Sequence, residues 1–303
     1  MKVIAPIAMT DAQLAASNVS EDDYPEWDAS TTYSAGDSVI VLSAHKVYES
    51  VQGSNLDNDP TTDDGTWWTE VGATNRWRAF DGVIGSKTSR SGTISYEIEP
   101  ARLTTGLAFF GLSAAQIRVQ VEDDGSPATE TYDKTMNLVD DSDIVDWFTF
   151  FTTDLDQFQT EALFTGVPGY AGHTITITIG DGTGTAEVGE IAFGRVAALG
   201  DTLEGTEIGL RSFSTKEQDS FGNWNIVSRA KSDPVDFTFA MSAADAGRVK
   251  RVLTSLRDTP AVYFADESLT KYGAITYGLF QDYTIPLVNR GFSIVNLEIE
   301  GLT

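Results

Sequence analysis

The stretch Trp27-x5-Tyr33-x2-Gly36-Asp37-x-Val39, continued by Tyr48, Pro60 and Trp67-Trp68-x2-Val71, is dense in aromatic residues and poor in aliphatic ones. A folded unit of about 50 residues sits near the lower limit for a self-sufficient core. Its aromatic rings therefore have two uses. Turned inward, Trp27, Tyr33, Tyr48 and Val71 make a core. Turned outward, a flat ring stacks on the C–H face of a pyranose. Residues 37–42 and 45–51 read as short strands with Ser43-Ala44 as the turn between them. Trp67 and Trp68 are adjacent in an extended segment, so they face opposite sides and one indole is spare.

Outward from this stretch, the chain of 303 residues has room for two or three domains. Lys and Arg number 20 against 45 Asp and Glu, for a net charge of −25. Such a charge repels nucleic-acid phosphates and anionic membrane surfaces, so neither sequence-specific nucleic-acid binding nor membrane insertion is expected. No apolar run reaches the roughly 18 residues a spanning helix needs. There is no cysteine, which excludes disulfides, thiolate metal sites and cysteine nucleophiles. Residues 1–17 carry one lysine and a short, broken apolar run, a poor match to a signal peptide, so export by that route is not expected.

Residues 1–22 read as an arm, with Thr10 or Asp11 capping a short helix over 12–16. Residues 23–73 are the aromatic module, and 55–65 is a loop rich in Asp, Asn, Thr and Pro. Residues 74–200 read as an all-β domain, a sandwich or jelly roll, with strands over 93–98, 106–110, 116–122, 147–151, 174–179 and 187–193. Ile117, Val119 and Val121, and likewise Ile175, Ile177 and Ile179, alternate with polar residues, so each strand has one buried face. Residues 201–303 change to an α+β pattern. Strands are expected over 206–213 and 224–228, then Val235, Phe237, Phe239 and Met241 alternate. A helix follows over 242–257, with Ser242 as its cap and Val249, Val252, Leu253 and Leu256 on one face. Strands resume at 261–265, 275–285 and 292–299. The apolar phase slips between Ile294 and Val295, which calls for a bulge or for burial on both faces. The fold class is thus mainly β, α+β at the C-terminal end.

Residues able to carry chemistry are few. His45 falls in a hairpin turn and His173 at a strand start, and neither can be paired with a serine or aspartate from sequence. Gly85-Ser86-Lys87-Thr88 lacks the order of a phosphate loop and has no helix after it. Residues 56–65 are rich in hard oxygen donors, but Pro60 interrupts any calcium-loop spacing, and a solvated turn fits better. Acid pairs such as Asp140-Asp141-x-Asp143 and Glu97-x-Glu99 are common by chance in so acidic a chain. With no nucleophile, metal or cofactor motif, the expectation is a protein without enzymatic activity and without a cofactor.

The aromatic stretch is similar to the small carbohydrate-binding modules of chitinases and cellulases, over about 50 residues. That resemblance implies sugar-binding roles for Trp68, Trp67, Tyr48 and Trp27, with Trp68 aligned to the tryptophan on the binding surface. Trp67 beside it and the lengthened loop 57–64 depart from the pattern. Arg76-Trp77-Arg78-Ala79-Phe80-Asp81-Gly82 and Val188-Gly189-Glu190-Ile191-Ala192-Phe193-Gly194 resemble the opening and closing strands of galactose-binding-like jelly rolls. The segment from Ser242 through Tyr277-Gly278-Leu279-Phe280 to 292–302 resembles the C-terminal part of tail-tube and distal-tail proteins of long-tailed phages. In this order the modules look like a family of phage and prophage tail or baseplate proteins. The resemblance implies a virion structural protein assembled in the host cytoplasm. It would form a ring, expected to be a hexamer, with itself and with other tail proteins. The outer domains would project, and the aromatic module would serve as a possible contact for host glycans.

Overall fold

The computed structural model describes residues 1–139, 146–152, 159–218, 221–265, 274–286 and 291–302. The acid pair Asp140-Asp141-x-Asp143 falls outside them. The fold is mainly β and antiparallel.

Among the described residues, the largest sheet has ten strands. Its order is Glu161–Gly169, Thr104–Phe110, Glu190–Ala198, Lys2–Pro6, Ala261–Phe264, Ile275–Thr284, Phe292–Gly301, Val235–Ser242 and Asp201–Thr202, with Glu207–Ile208 also paired to Val235–Ser242. Lys2–Pro6, expected in an arm, is a central strand. It pairs with Glu190–Ala198 on one side and Ala261–Phe264 on the other, and so joins the sandwich to the C-terminal strands. Residues 12–16 are not helical either. A short 3-10 turn, Asp11–Gln13, leads into strand Leu14–Ser17, which pairs with Ile94–Ile98. The reason is burial on both faces: Val3 and Ile4 are both fully buried, in different cores. Gly194 permits the close seating of this strand. A Cβ at that position would lie 2.1 Å from the Ala5 carbonyl oxygen, a contact no side chain can make.

The second sheet has the order Glu130–Asn137, Gln116–Glu122, Thr174–Ile179, Ile94–Ile98 and Leu14–Ser17. It faces one end of the large sheet to form a β-sandwich. Ile117, Val119, Val121, Ile175, Ile177 and Ile179 meet Leu107, Phe109, Phe164, Ile191 and Phe193 across it. Alternation gave the inner faces correctly. It failed for residues 147–151, which form a helix, Trp147–Thr152, instead of a strand. Trp-Phe-Thr-Phe-Phe does not alternate, and the Trp147 and Phe151 rings stack at 6.3 Å, an i,i+4 contact that only a helix makes.

At the other end of the large sheet, helix Ala246–Ser255 packs Val249, Leu253 and the following Leu256 against Phe237, Phe239, Val295 and Leu297. Each such burial stabilises by about 1.5–3 kcal/mol. Ser242 caps the preceding 3-10 turn, its hydroxyl accepting the Ala244 N–H at 3.3 Å. Strand Phe292–Gly301 carries no bulge where the apolar phase slips. Its register to Val235–Ser242 is unbroken, with Ser293 and Val295 buried and Phe292 and Ile294 exposed on the outer face. The irregularity lies on the other side, between Phe280 and Tyr283 of the neighbouring strand.

The large sheet curls. Phe110 and Tyr277 stand on strands separated by three others, yet their rings lie 5.8 Å apart across the concave side. Ile4, Ala192, Val262 and Phe264 fill the space between.

Candidate functional site

The aromatic module is a three-stranded sheet of Ser38–Val41, Lys46–Ser50 and Trp68–Ala73. Its core is Tyr33, Val39, Tyr48 and Trp68, with Trp27, Val41 and Trp67 packed half-buried at the margin. Tyr33 and Trp68 meet edge to face at 5.1 Å. Trp68, which the resemblance places on a sugar-binding surface, is only 2% exposed and donates its indole N–H to the Asn58 carbonyl at 2.9 Å. Tyr48 is buried as well. The spare indole is Trp67, and Trp27 is the other ring that keeps some surface. Val71, expected in the core, is exposed, and Val39 takes its place.

A buried asparagine that sequence reading passed over organises this module. Asn55 is fully buried and exchanges backbone hydrogen bonds with Tyr33 at 2.8 and 3.1 Å. Its amide donates to Ser50 Oγ and to the Trp67 carbonyl, and its side-chain oxygen accepts from Asn58. The acidic loop is built from local turns. Asp59 Oδ1 accepts from the Thr61 N–H and hydroxyl, and Asp64 Oδ1 from those of Thr66. Asp63 Oδ2 accepts the N–H groups of Gly65, Trp67 and Trp68 at 2.9–3.0 Å. Burial pushes the Asp63 carboxyl up, but those N–H groups together outweigh it and hold it below the ordinary aspartate range.

His45 is not a bare surface imidazole. It sits at φ 54° in the hairpin turn, stacked on Trp77 with ring centroids 4.1 Å apart. Its Nδ1 lies 2.9 Å from Glu21 Oε2 and its Nε2 lies 2.7 Å from Asp11 Oδ1. Glu21 also receives the Thr74 hydroxyl, the Arg76 guanidinium and the Trp77 indole N–H. This cluster fastens the module to the sandwich. None of its members is close in sequence to its partners, so no spacing rule could have revealed it.

The C-terminal half carries a different surface. Among the described residues, Thr215–Gln218 pairs only with Trp224–Val227, and Arg211–Ser212 only with Lys231–Ser232, so residues 211–218 and 221–232 make a two-stranded ribbon outside the large sheet. Leu210, Phe213, Trp224, Ile226 and Val227 are exposed along it, Trp224 by 63%. On the large sheet, the outer face of strand Phe292–Gly301 exposes Phe292 and Ile294 as well. Beside Ile294 a shallow groove is bordered by Glu207, Asp236, Asp282 and Glu298.

No cluster of three or more His, Asp or Glu able to hold a metal occurs among the described residues. No protein-family model matches the chain, and no curated protein matches it.

Proposed function

We propose that this chain is a structural component of a phage tail or baseplate that assembles with copies of itself through the 211–232 ribbon. The observation that carries this reading is the exposure of Phe213, Trp224, Ile226 and Val227 along the ribbon. A lone two-stranded hairpin is marginal in water, and several large apolar side chains exposed along one mark an association surface. A second copy of the chain is the occupant that fits best, because closed rings join a projecting element of one subunit to the body of the next. The exposed Phe292 and Ile294 supply an apolar patch on that body. The acidic groove beside them suits a surface that must not retain nucleic acid. In this reading the sandwich, of galactose-binding-like type, and the aromatic module project outward. Assembly takes place in the host cytoplasm, with other tail proteins as further partners.

The test is the mass distribution of the purified chain by mass photometry, alone and with Trp224→Asp and Ile226→Asp combined. The reading expects a ring-sized species, a hexamer, that the double variant dissolves to monomer. A strictly monomeric wild type would overturn it. Glycan binding by the module is the second reading, favoured by the half-buried faces of Trp67 and Trp27. Retention on chitin or cellulose that Trp67→Ala abolishes would support it.

A further inference from the structure

A cavity of about 310 Å³ opens between residues 6–9, residues 80–82, the start of strand Glu190–Ala198, residues 259–260 and Tyr277. Ile7, Met9, Phe80, Phe193 and Pro260 make most of it apolar. One end is not. Glu190 is 5% exposed, and its Oε2 accepts the Gly82 N–H at 2.9 Å. Its Oε1 has no hydrogen-bond partner among the described residues. Tyr277 is 6% exposed, with its ring on Phe110 and its hydroxyl 3.7 Å from where a Cβ on Gly82 would stand. That hydroxyl also has no partner among the described residues. Asp81 completes the polar end and accepts the Val83 N–H at 2.8 Å.

No lysine, arginine or histidine is among the described residues that line the cavity. Burial pushes the Glu190 carboxyl up to about 8; the Gly82 N–H opposes this, and the neighbouring Asp81 adds to it. Asp81 is itself raised by burial, against the Val83 N–H, the Ser86 side chain and the Arg78 charge. The Tyr277 hydroxyl is raised by burial and by both carboxyl groups. One buried acid, one half-buried acid and a phenol oxygen therefore face the cavity; the Arg78 charge acts on Asp81 from outside the lining, and no cation stands among the described lining residues.

We propose that this cavity binds a primary ammonium group on an aliphatic stem, with Glu190, Asp81 and Tyr277 accepting the ammonium N–H bonds and the apolar walls covering the methylenes. The geometry favours an amine over a divalent ion, because such ions take six or more oxygen ligands and tolerate no apolar wall so close. The ligand is either a free alkylamine or a lysine side chain of another chain. Binding converts the Glu190 carboxyl to a carboxylate. Its proton leaves to solvent, and the ammonium keeps all of its own. Affinity therefore rises with pH up to about 8 and levels above it. The site is independent of the assembly reading and stands or falls without it.

Calorimetric titration of the full chain tests the proposal, using n-butylammonium, 1,4-diaminobutane and Nα-acetyl-lysine amide as probes and n-butanol as the neutral control. We expect n-butylammonium to bind at least about tenfold more tightly than n-butanol. Near neutral pH, two buffers of different ionisation enthalpy should report release of about one proton. Glu190→Gln, with an unchanged circular dichroism spectrum, should weaken binding by about tenfold or more. Tyr277→Phe, which keeps the ring packing, should weaken it by about threefold. Tighter binding of the lysine amide would assign the site to a chain-borne lysine, and tighter binding of the diamine to a free amine. Equal affinity for n-butanol, no proton release, or binding unaffected by both variants would overturn the proposal. So would saturation by calcium or magnesium ions at concentrations where no amine binds.

Discussion

The aromatic module and the 211–232 ribbon use similar residues in opposite ways. In the module, Tyr33, Tyr48 and Trp68 turn inward around Val39, and the polar Asn55 and Asp63 tie the loops to them. In the ribbon, Phe213, Trp224, Ile226 and Val227 face solvent. The module is small and has no second layer, so its rings are the material of its own core. Among the described residues no layer covers the ribbon, so its apolar side chains are left for a further contact to bury. Aromatic content therefore marks a binding surface only where the local fold leaves the rings unused.

Four variants test this contrast. Trp68→Ala should have the largest effect, a loss of about 3–5 kcal/mol from the module. Hydrogen exchange should report it as opening of residues 33–73 with the sandwich still protected. Trp224→Ala should by contrast leave the stability of the isolated subunit within about 0.5 kcal/mol, because nothing packs on an exposed ring. If it destabilises the subunit as much as Trp68→Ala does, the contrast is wrong. Trp224→Asp combined with Ile226→Asp should weaken self-association by about 3 kcal/mol, roughly a hundredfold, read from the concentration dependence of mass distributions. Trp67→Ala should cost about 1–2 kcal/mol of module stability, since its indole is only half-buried. A larger loss of glycan retention than of stability would move the module toward a recognition role.

The smallest effect concerns Asp63. Removing its carboxylate as Asp63→Ala should cost the module about 1 kcal/mol. The sign of its pH dependence follows from its lowered pKa. Stabilisation from the ionised form is present above the unfolded aspartate value of about 3.9 and is lost as pH falls through the folded value below it. The melting temperature of the module should therefore drop in strong acid, and less steeply in Asp63→Ala. A variant as acid-sensitive as the wild type would contradict the role given to those N–H contacts.

Much of the fold was legible because one-sided burial leaves period-two alternation. Gln116–Glu122 and Thr174–Ile179 were bounded correctly for that reason, as was the buried face of the 246–255 helix. Lys2–Pro6 was read as an arm because a strand buried on both faces does not alternate. Strand Glu130–Asn137 was missed for the opposite reason, since most of its residues are exposed and polar. Within the candidate site, the sequence placed the aromatics together but could not orient them. Adjacent Trp67 and Trp68 must point apart, and which one turns inward depends on the pairing of Ser50 with Trp68, a long-range contact. The partners of His45 and the enclosed carboxyl of Glu190 come from still more distant segments.

The central claim is that the exposed apolar residues of the ribbon join one copy of the chain to the next. Cryo-electron microscopy of the purified full chain tests it most directly. The account predicts closed rings in which Trp224 and Ile226 of each subunit are covered by the body of its neighbour. Isolated monomers with a bare ribbon at every concentration, or rings closed through any other surface, would contradict it.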